Sequence, residues 1–282
     1  MSFKYINPGF NIGNLATIPM KTTTDKNYSG GVYLAFDTNI NWYLPKPIKT
    51  IFVSVGTNNK RNANIFFYGT KTGINITDNG TAEVFVNNSK VITYNRENGF
   101  ITYYIKIISH AENGEITILE NGIEKFSFTG NVMQGADITY MNIGGLYGQR
   151  HFANFIISDE YFPPSEKIIA LPVANTTATM TDNGDGSYTA DEVGESVMQT
   201  IDAAKLTQAI GEGNTFTGFS LIGNPAYYDG AGMTHLGAMK GETVKESVAL
   251  PTNTDGKILA SWSDNVKQAD IANLSLGWKA QE

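Results

Sequence analysis

Two groups of side chains in this 282-residue chain have the residue types that grip a sugar. Sugar binding needs an aromatic plane for the apolar face of the ring and polar groups for its hydroxyls. Trp42 and Tyr43 stand close to Asn39 and Asn41, and Tyr147 stands beside Gln149, Arg150 and His151. Both groups fall in apparent loops or strand ends, where binding residues concentrate. A packing role competes with this reading: Trp42 plugs the end of a sandwich and Tyr147 covers a hairpin. Trp42, Tyr43, Tyr147 and Arg150 are the candidate glycan-binding residues.

Other chemistry has weaker support. The nearest acidic groups are Asp159 and Glu160 with Glu166, and Asp191 and Glu192 with Glu195. Two carboxylates that act on one glycosidic bond stand about 5–9 Å apart, and on a strand they share a face only at even spacing. Asp159 and Glu160 point to opposite faces, so no catalytic residue is assigned. Asn183, Asp185, Gly186 and Glu192 fall at the third, fifth, sixth and twelfth positions of an EF-hand-like loop. Thr181 holds the first position, where a carboxylate seats the ion, and no helix flanks the loop. A hairpin turn uses the same Asp and Gly residues. No metal ligand or cofactor is assigned, and a shallow calcium site built from loop carboxylates stays open without assignable ligands.

His110, His151 and His235 have no histidine three or four residues away, which leaves a metal triad unsupported. Ser220 lies in a segment from Gly218 to Gly223 that is one residue too long for a nucleophile elbow and reads as a strand. Gly211 with Gly213, and Gly230 with Gly232, lack the third glycine and the strand-to-helix setting of a nucleotide loop, and read as turns. The absence of cysteine removes disulfides, thiolate metal sites and cysteine nucleophiles. Net charge is −7, divided unevenly: residues 1–173 hold 14 basic and 13 acidic side chains, residues 174–282 hold 6 and 14. Neither part has the clustered Lys and Arg that displace counterions from nucleic acid. No apolar run approaches the roughly 18 residues of a membrane span. Met1 to Gly9 lacks the basic-then-apolar layout of a signal peptide. The chain is expected to be soluble and unprocessed.

The elements that must position these residues are strands. Runs of branched and aromatic residues recur between Gly/Asn clusters: Thr50–Val55, Asn64–Tyr68, Ala82–Val86, Val91–Tyr94, Phe100–Ser109, Glu115–Glu120, Ile123–Phe128, Ile138–Ile143 and Phe152–Ile157. This spacing predicts an all-β sandwich. Ile101, Tyr103, Ile105 and Ile107 alternate with Thr102, Tyr104, Lys106 and Ile108, which places the first set on the core face. Asn121-Gly122 between two runs predicts a type I′ hairpin. The first 173 residues contain 25 of the 32 aromatic side chains and 21 of the 28 asparagines. That divide predicts two domains, 1–173 and 174–282, with the apolar run Ile168 to Val173 ending the first as a strand. The second is expected to be smaller, acidic and β-rich, with strands at Ala178–Thr181, Ser187–Ala190, Ser196–Ile201, Thr215–Ile222, Lys257–Trp262 and Asn273–Lys279. One short helix is predicted over Ala203 to Ile210, capped by Asp202 and closed by Gly211.

The stretch Glu115 to Ile168 resembles the concanavalin-A-like, laminin-G-like jelly-roll module. The likeness is carried by the strand-turn-strand Ile116 to Ile123, the strand leading into Ile143-Gly144-Gly145, and a late strand Phe152 to Asp159. Phe155 to Glu160 with Lys167 to Val173, and later Asp182 to Tyr188 and Gly223 to Tyr227, also resemble phage virion proteins that join such a module to a second β domain. The resemblance implies a laminin-G-like sandwich followed by a smaller β domain. It further implies a non-enzymatic virion component on the capsid or tail, assembled in the bacterial cytoplasm. Its expected partners are other virion proteins, further copies of itself and a host surface glycan. A carbohydrate-binding adhesin is the alternative, and a glycan hydrolase a third. The hydrolase branch carries its acids on one strand as Glu-x-Asp-x-x-Glu or a form one residue shorter, and nothing in this chain matches it.

Overall fold

A strand that alternates apolar and polar side chains buries only one face, so two such sheets must close on each other to take both apolar faces out of water. A computed structural model describes residues 4–7, 21–23, 33–36, 40–58, 63–68, 70–144, 150–225, 232–250 and 258–282. The chain forms two compact units, Met1–Ile168 and Ile169–Glu282. The division falls upstream of the 173/174 boundary read from composition.

In the first unit the strands are β1 (Lys4–Asn7), β2 (Lys21–Thr23), β3 (Tyr33–Phe36), β4 (Ile40–Ile48), β5 (Thr50–Asn58), β6 (Ala63–Tyr68) and β7 (Thr72–Ile76). They continue as β8 (Thr81–Val86), β9 (Ser89–Asn95), β10 (Phe100–Ile108), β11 (His110–Glu120), β12 (Ile123–Val132), β13 (Ile138–Gly144) and β14 (Arg150–Ser158). An eight-stranded antiparallel sheet runs β12-β11-β10-β5-β14-β3-β2, with β1 also on β14. The six-stranded partner runs β4-β13-β6-β7-β8-β9. The fold is all β.

The alternation in β10 works as the sequence predicts. Ile101, Tyr103, Ile105 and Ile107 are wholly buried and join Val53 and Val55 of β5 and Ile116 and Ile118 of β11. Opposite them in the same core stand Ile65, Phe67, Ile74, Val84 and Met141 of the six-stranded sheet. Each such aliphatic side chain contributes about 1.5–3 kcal/mol by leaving water. Asn121 (φ 51°) and Gly122 (φ 82°) make the predicted tight turn between β11 and β12.

The outer face of the eight-stranded sheet is not left to solvent. Phe52, Tyr104 and Ile156 on that face are covered by Phe162 and Ile168 from the segment after β14. The Tyr104 hydroxyl donates to the Phe162 carbonyl at 2.9 Å. Lys4 forms a buried ion pair with Glu166. Burial, with the Tyr161 and Glu166 charges, pushes the Tyr104 phenol well above the ordinary tyrosine range.

In the second unit a sheet runs β15 (Val173–Ala178), β18 (Ser196–Ile201), β23 (Ser275–Gln281), β20 (His235–Lys240) and β21 (Thr243–Ala249). Two further pairs are β16 (Thr181–Asp182) with β17 (Tyr188–Thr189), and β19 (Thr215–Gly223) with β22 (Ile258–Lys267). Helix α1 (Ala203–Ile210) forms as predicted: the Asp202 carboxylate accepts from the Lys205 amide at 3.0 Å, and Gly211 ends it at φ 77°. Leu206 enters a core with Ile201, Phe219, Trp262, Ile271 and Leu276.

Several expectations are corrected. Ile168 to Val173 is not one strand: Ile168 joins the outer cluster of the first unit, Ile169 and Leu171 pack against the core of the second, and β15 starts only at Val173. Side-chain burial there takes the place of ladder pairing. Ala178–Thr181 is interrupted because the amides of Thr179 and Met180 both donate to the Ser196 carbonyl, which bends the chain between β15 and β16. Unforeseen strands include β4, whose Pro45 and Pro47 are tolerated because it is an edge strand. Also unforeseen are β7, with Gly73 inside it, and the pair β20 and β21.

Glu246 of β21 accepts from the Ser261 amide of β22 at 2.6 Å. Burial pushes its carboxyl above 4.5, and the Ser261 amide only partly offsets this. A raised folded-state value means the folded chain holds this proton longer than the unfolded one, so the neutral form's stability is present below pH 4.5 and is lost as pH rises through the folded value. Glu246→Gln removes that loss. The unfolding free energy of the variant minus that of the native chain is expected to grow as pH rises from 4.5; a difference flat with pH in denaturant titrations would refute it.

Candidate functional site

Once the inner residues of the six-stranded sheet are spent on the core, the alternate positions face outward, and their register decides which side chains meet. Tyr140 of β13 pairs directly with Tyr43 of β4 on one side and Tyr68 of β6 on the other. The rings of Tyr68 and Tyr140 stack at 4.8 Å and 8°, and Tyr43 follows at 5.4 Å. With strands about 4.8 Å apart, the three phenols form a row about 10 Å across. Burial, and the neighbouring phenols of Tyr68 and Tyr43, push the Tyr140 hydroxyl up, so it stays protonated and available as donor and acceptor.

Two residues along β4 and β13, and four along β6, the face changes to amides. Asn142 Nδ2 donates to Asn41 Oδ1 at 2.8 Å, and Asn64 Nδ2 donates to Asn142 Oδ1 at 2.7 Å. Beyond Asn64, its cross-strand partner Asn75 donates to Glu83 Oε2 at 2.9 Å, and Lys90 pairs with Glu83 Oε1 at 3.1 Å. The Asn75 amide, with Lys90, holds the Glu83 carboxyl below its ordinary range against the opposing effect of burial. Between the two zones, Phe66 and Phe85 meet edge to face at 5.6 Å, with the Lys71 ammonium 4.6 and 4.0 Å from their rings. They approach across Gly73, which has φ +140°; a Cβ there would lie 2.2 Å from the Ile65 carbonyl.

Tyr68 and Tyr140 press one ring face each against the other, Tyr43 is the exposed ring of the row, and the amides beside them, already oriented by one another, are buried, Asn64 6% and Asn142 8% exposed. The one carboxylate of this arrangement, Glu83, is neutralised by Lys90, and no second carboxylate stands with it on the pairs described. Aromatic rings beside amides are residue types that contact hydroxylated ligands.

Of the sequence candidates, Trp42 and Tyr43 are neighbours on one strand and take opposite faces. Trp42 is 7% exposed, with Tyr5 edge-on at 4.6 Å and Phe155 at 5.4 Å, and belongs to the core. Tyr43 is 61% exposed and belongs to the outer row. Tyr147 lies outside the described residues; Arg150 opens β14 opposite Phe36 on the other sheet, and its side chain is outside the description. Tyr68, Tyr140, Asn64, Asn75, Asn142 and Glu83 were not candidates. The available signal was the outward half of the alternation: Asn64, Phe66 and Tyr68, and Tyr140 and Asn142, place aromatics and amides where a solvated strand face usually carries charge.

The other sites resolve into local structure. Asp182 accepts from the Gly184 amide at 2.8 Å, and Asp185 from the Ser187 amide and hydroxyl at 2.9 and 2.6 Å, within the β16–β17 hairpin. Glu195 accepts from the amides of Asp191 and Glu192, and Asp159 pairs with Lys46. His110 accepts from the amides of Glu112 and Asn113. Ser220 lies on β19 opposite Ser261. Among the described residues, no group of three or more His, Cys, Asp or Glu is placed to hold a metal ion, and no helix is long and apolar enough to cross a membrane.

No family model matches the chain, and no curated protein matches it in sequence. Solved structures that are similar include the carbohydrate-binding module CBM66 from Bacillus subtilis, at 11% identity and TM-score 0.35, covering 52% of this chain and 98% of that one. Caenorhabditis elegans galectin LEC-6 is similar at 16% identity and TM-score 0.28, covering 43% and 94%. A β-1,3-1,4-glucanase (lichenase) derived from a mouse hindgut metagenome is similar at 10% identity and TM-score 0.32, covering 56% and 92%. Likenesses this distant say nothing of ligand or reaction, and the functional reading stands on the geometry.

The opposite placement of Trp42 and Tyr43 is directly testable. Trp42→Ala is expected to cost about 3–5 kcal/mol by opening the core, and Tyr43→Ala no more than about 0.5 kcal/mol. Denaturant unfolding of the two variants checks this, and equal losses would show that the strand register is wrong.

Proposed function

We propose that the first unit is a carbohydrate-binding module, a recognition device without a catalytic step, and that its sugar lies on the outer face of the six-stranded sheet. The observation that carries the reading is the cross-strand row Tyr43–Tyr140–Tyr68 running beside the hydrogen-bonded chain Asn41–Asn142–Asn64. The exposed Tyr43 ring offers a plane to the C–H face of a pyranose, and the phenol hydroxyls of the row, backed by the buried amides, meet the hydroxyls around its rim. Because each amide is already held by its neighbour, little side-chain entropy is lost when the ligand arrives. The outer face of the other sheet is covered by Phe162 and Ile168, which supports assigning recognition to the six-stranded side.

A glycan array probed with the full chain, followed by titration with the best oligosaccharide, tests the proposal. Tyr140→Ala and Tyr68→Ala are each expected to weaken binding about tenfold or more, the ~1.4 kcal/mol typical of a stacked anchor. Tyr161→Ala, an exposed aromatic near Phe52 on the other sheet, serves as the control that leaves affinity unchanged. Retention of no glycan, or full affinity in both row variants, overturns the reading. Recovery of the chain only on virus particles or in assembled rings without sugar preference would favour the virion role instead.

A further inference from the structure

The chain contains five Asn-Gly steps: Asn79-Gly80, Asn98-Gly99, Asn113-Gly114, Asn121-Gly122 and Asn183-Gly184. Glycine has no Cβ to shield its amide nitrogen, which makes such steps the ones most open to attack on the preceding asparagine side chain. The reaction requires the asparagine carboxamide to swing onto that nitrogen. A carboxamide fastened by hydrogen bonds, or a glycine walled in by backbone, must first be released by local opening.

Four of the five steps are fastened in this way. Asn79 Oδ1 accepts from the Thr81 amide and hydroxyl at 3.3 and 2.8 Å. Asn121 is held at both ends, its Nδ2 donating to Glu97 Oε2 at 2.7 Å and its Oδ1 accepting from the Thr102 amide at 2.9 Å. Asn183 Nδ2 donates to the hydroxyls of Ser187 and Thr189 at 2.9 and 3.1 Å. Asn113 precedes Gly114, which is enclosed: a Cβ built there would lie 2.7 Å from both the Ile108 carbonyl and Val132 Cβ.

Asn98 differs. It is exposed in the connection between β9 and β10, and among the described residues no hydrogen bond restrains its side chain. Gly99 has open space around it. The backbone just before it is pinned, with the Arg96 amide donating to the Gly80 carbonyl at 3.0 Å and the Glu97 amide to Glu120 Oε1 at 2.7 Å. Restraint therefore stops at Glu97, one residue short of the reactive step.

We infer that Asn98 is the site at which this protein deamidates spontaneously while folded. The Gly99 nitrogen gives up its proton and bonds to Asn98 Cγ; the bond from Cγ to the side-chain nitrogen breaks, and ammonia leaves. Water then opens the resulting succinimide at either carbonyl, to aspartate or isoaspartate, and no electrons change hands. The product adds a negative charge beside Glu97, at the end of the sandwich where Glu97 already holds the Asn121 amide.

The test is to incubate the folded full chain in mildly alkaline buffer and weigh its peptides at intervals after digestion. The Asn98 peptide is expected to convert ahead of the other four by roughly tenfold or more, since those must wait for local opening. In denaturant the five should convert at similar rates, and Asn98→Gln should abolish the earliest acidic species of the folded chain. The inference is overturned if another of the five leads in the folded chain, or if Asn98 stays intact there while the denatured control reacts.

Discussion

Closing two sheets over one apolar core is the constraint on which the first unit depends. It commits every second side chain of β5, β6, β7, β8, β10, β11 and β13 to the interior, where Ile, Val, Phe and Met fill the space between the sheets. The commitment also determines the surface. Whatever occupies the remaining positions is displayed in straight cross-strand rows, because adjacent strands are held in register by their hydrogen bonds. The two outer faces then diverge. One is overlaid by the chain's own Phe162 and Ile168, and the other carries tyrosines, asparagines and a neutralised carboxylate.

That second face is ordered by its own contacts. The asparagines hold one another, Asn75 and Lys90 hold Glu83, and Phe66 and Phe85 meet across a glycine under the Lys71 ammonium. Surface ion pairs such as Glu83 with Lys90 add little to stability. Their effect here is on geometry and charge: they fix the direction of donors and acceptors and leave no bare carboxylate at Glu83. The same economy appears at the ends of the unit, where Asn121 serves at once as turn residue and as clamp on Glu97.

The second unit is assembled differently. Its core is smaller, centred on Trp262, Phe219 and Leu206, and polar groups tie its pieces together: Gln268 donates to Thr207 and Gly211 and accepts from Asn214, while Lys240 pairs with Asp264. Burial works to raise the Asp264 carboxyl, but the Lys240 ammonium and the Asn265 amide outweigh it and hold it below its usual range. Glu246 sits in the opposite balance, with burial prevailing. Two carboxylates of one unit thus respond to pH with opposite sign.

Much of this was legible in the amino-acid sequence because it is local. The alternation in Phe100–Ile108, the Asn121-Gly122 turn and the capped helix Ala203–Ile210 each depend on residues within a few positions of one another. Strands broken by proline or glycine, such as β4 and β7, were missed because their neighbours in space, not their own propensities, make them strands. The candidate site was half legible: Tyr43 was chosen together with Trp42, and only the pairing of β4 with β13 sends one ring outward and the other into the core. Tyr68 and Tyr140 lie far apart in the chain and became a stacked pair through the register of β6 against β13, which no short-range pattern encodes. Composition and period thus determine that there are layers and which residues face inward. Long-range strand order alone decides which of the outward residues meet, because that order is set by how the whole core closes.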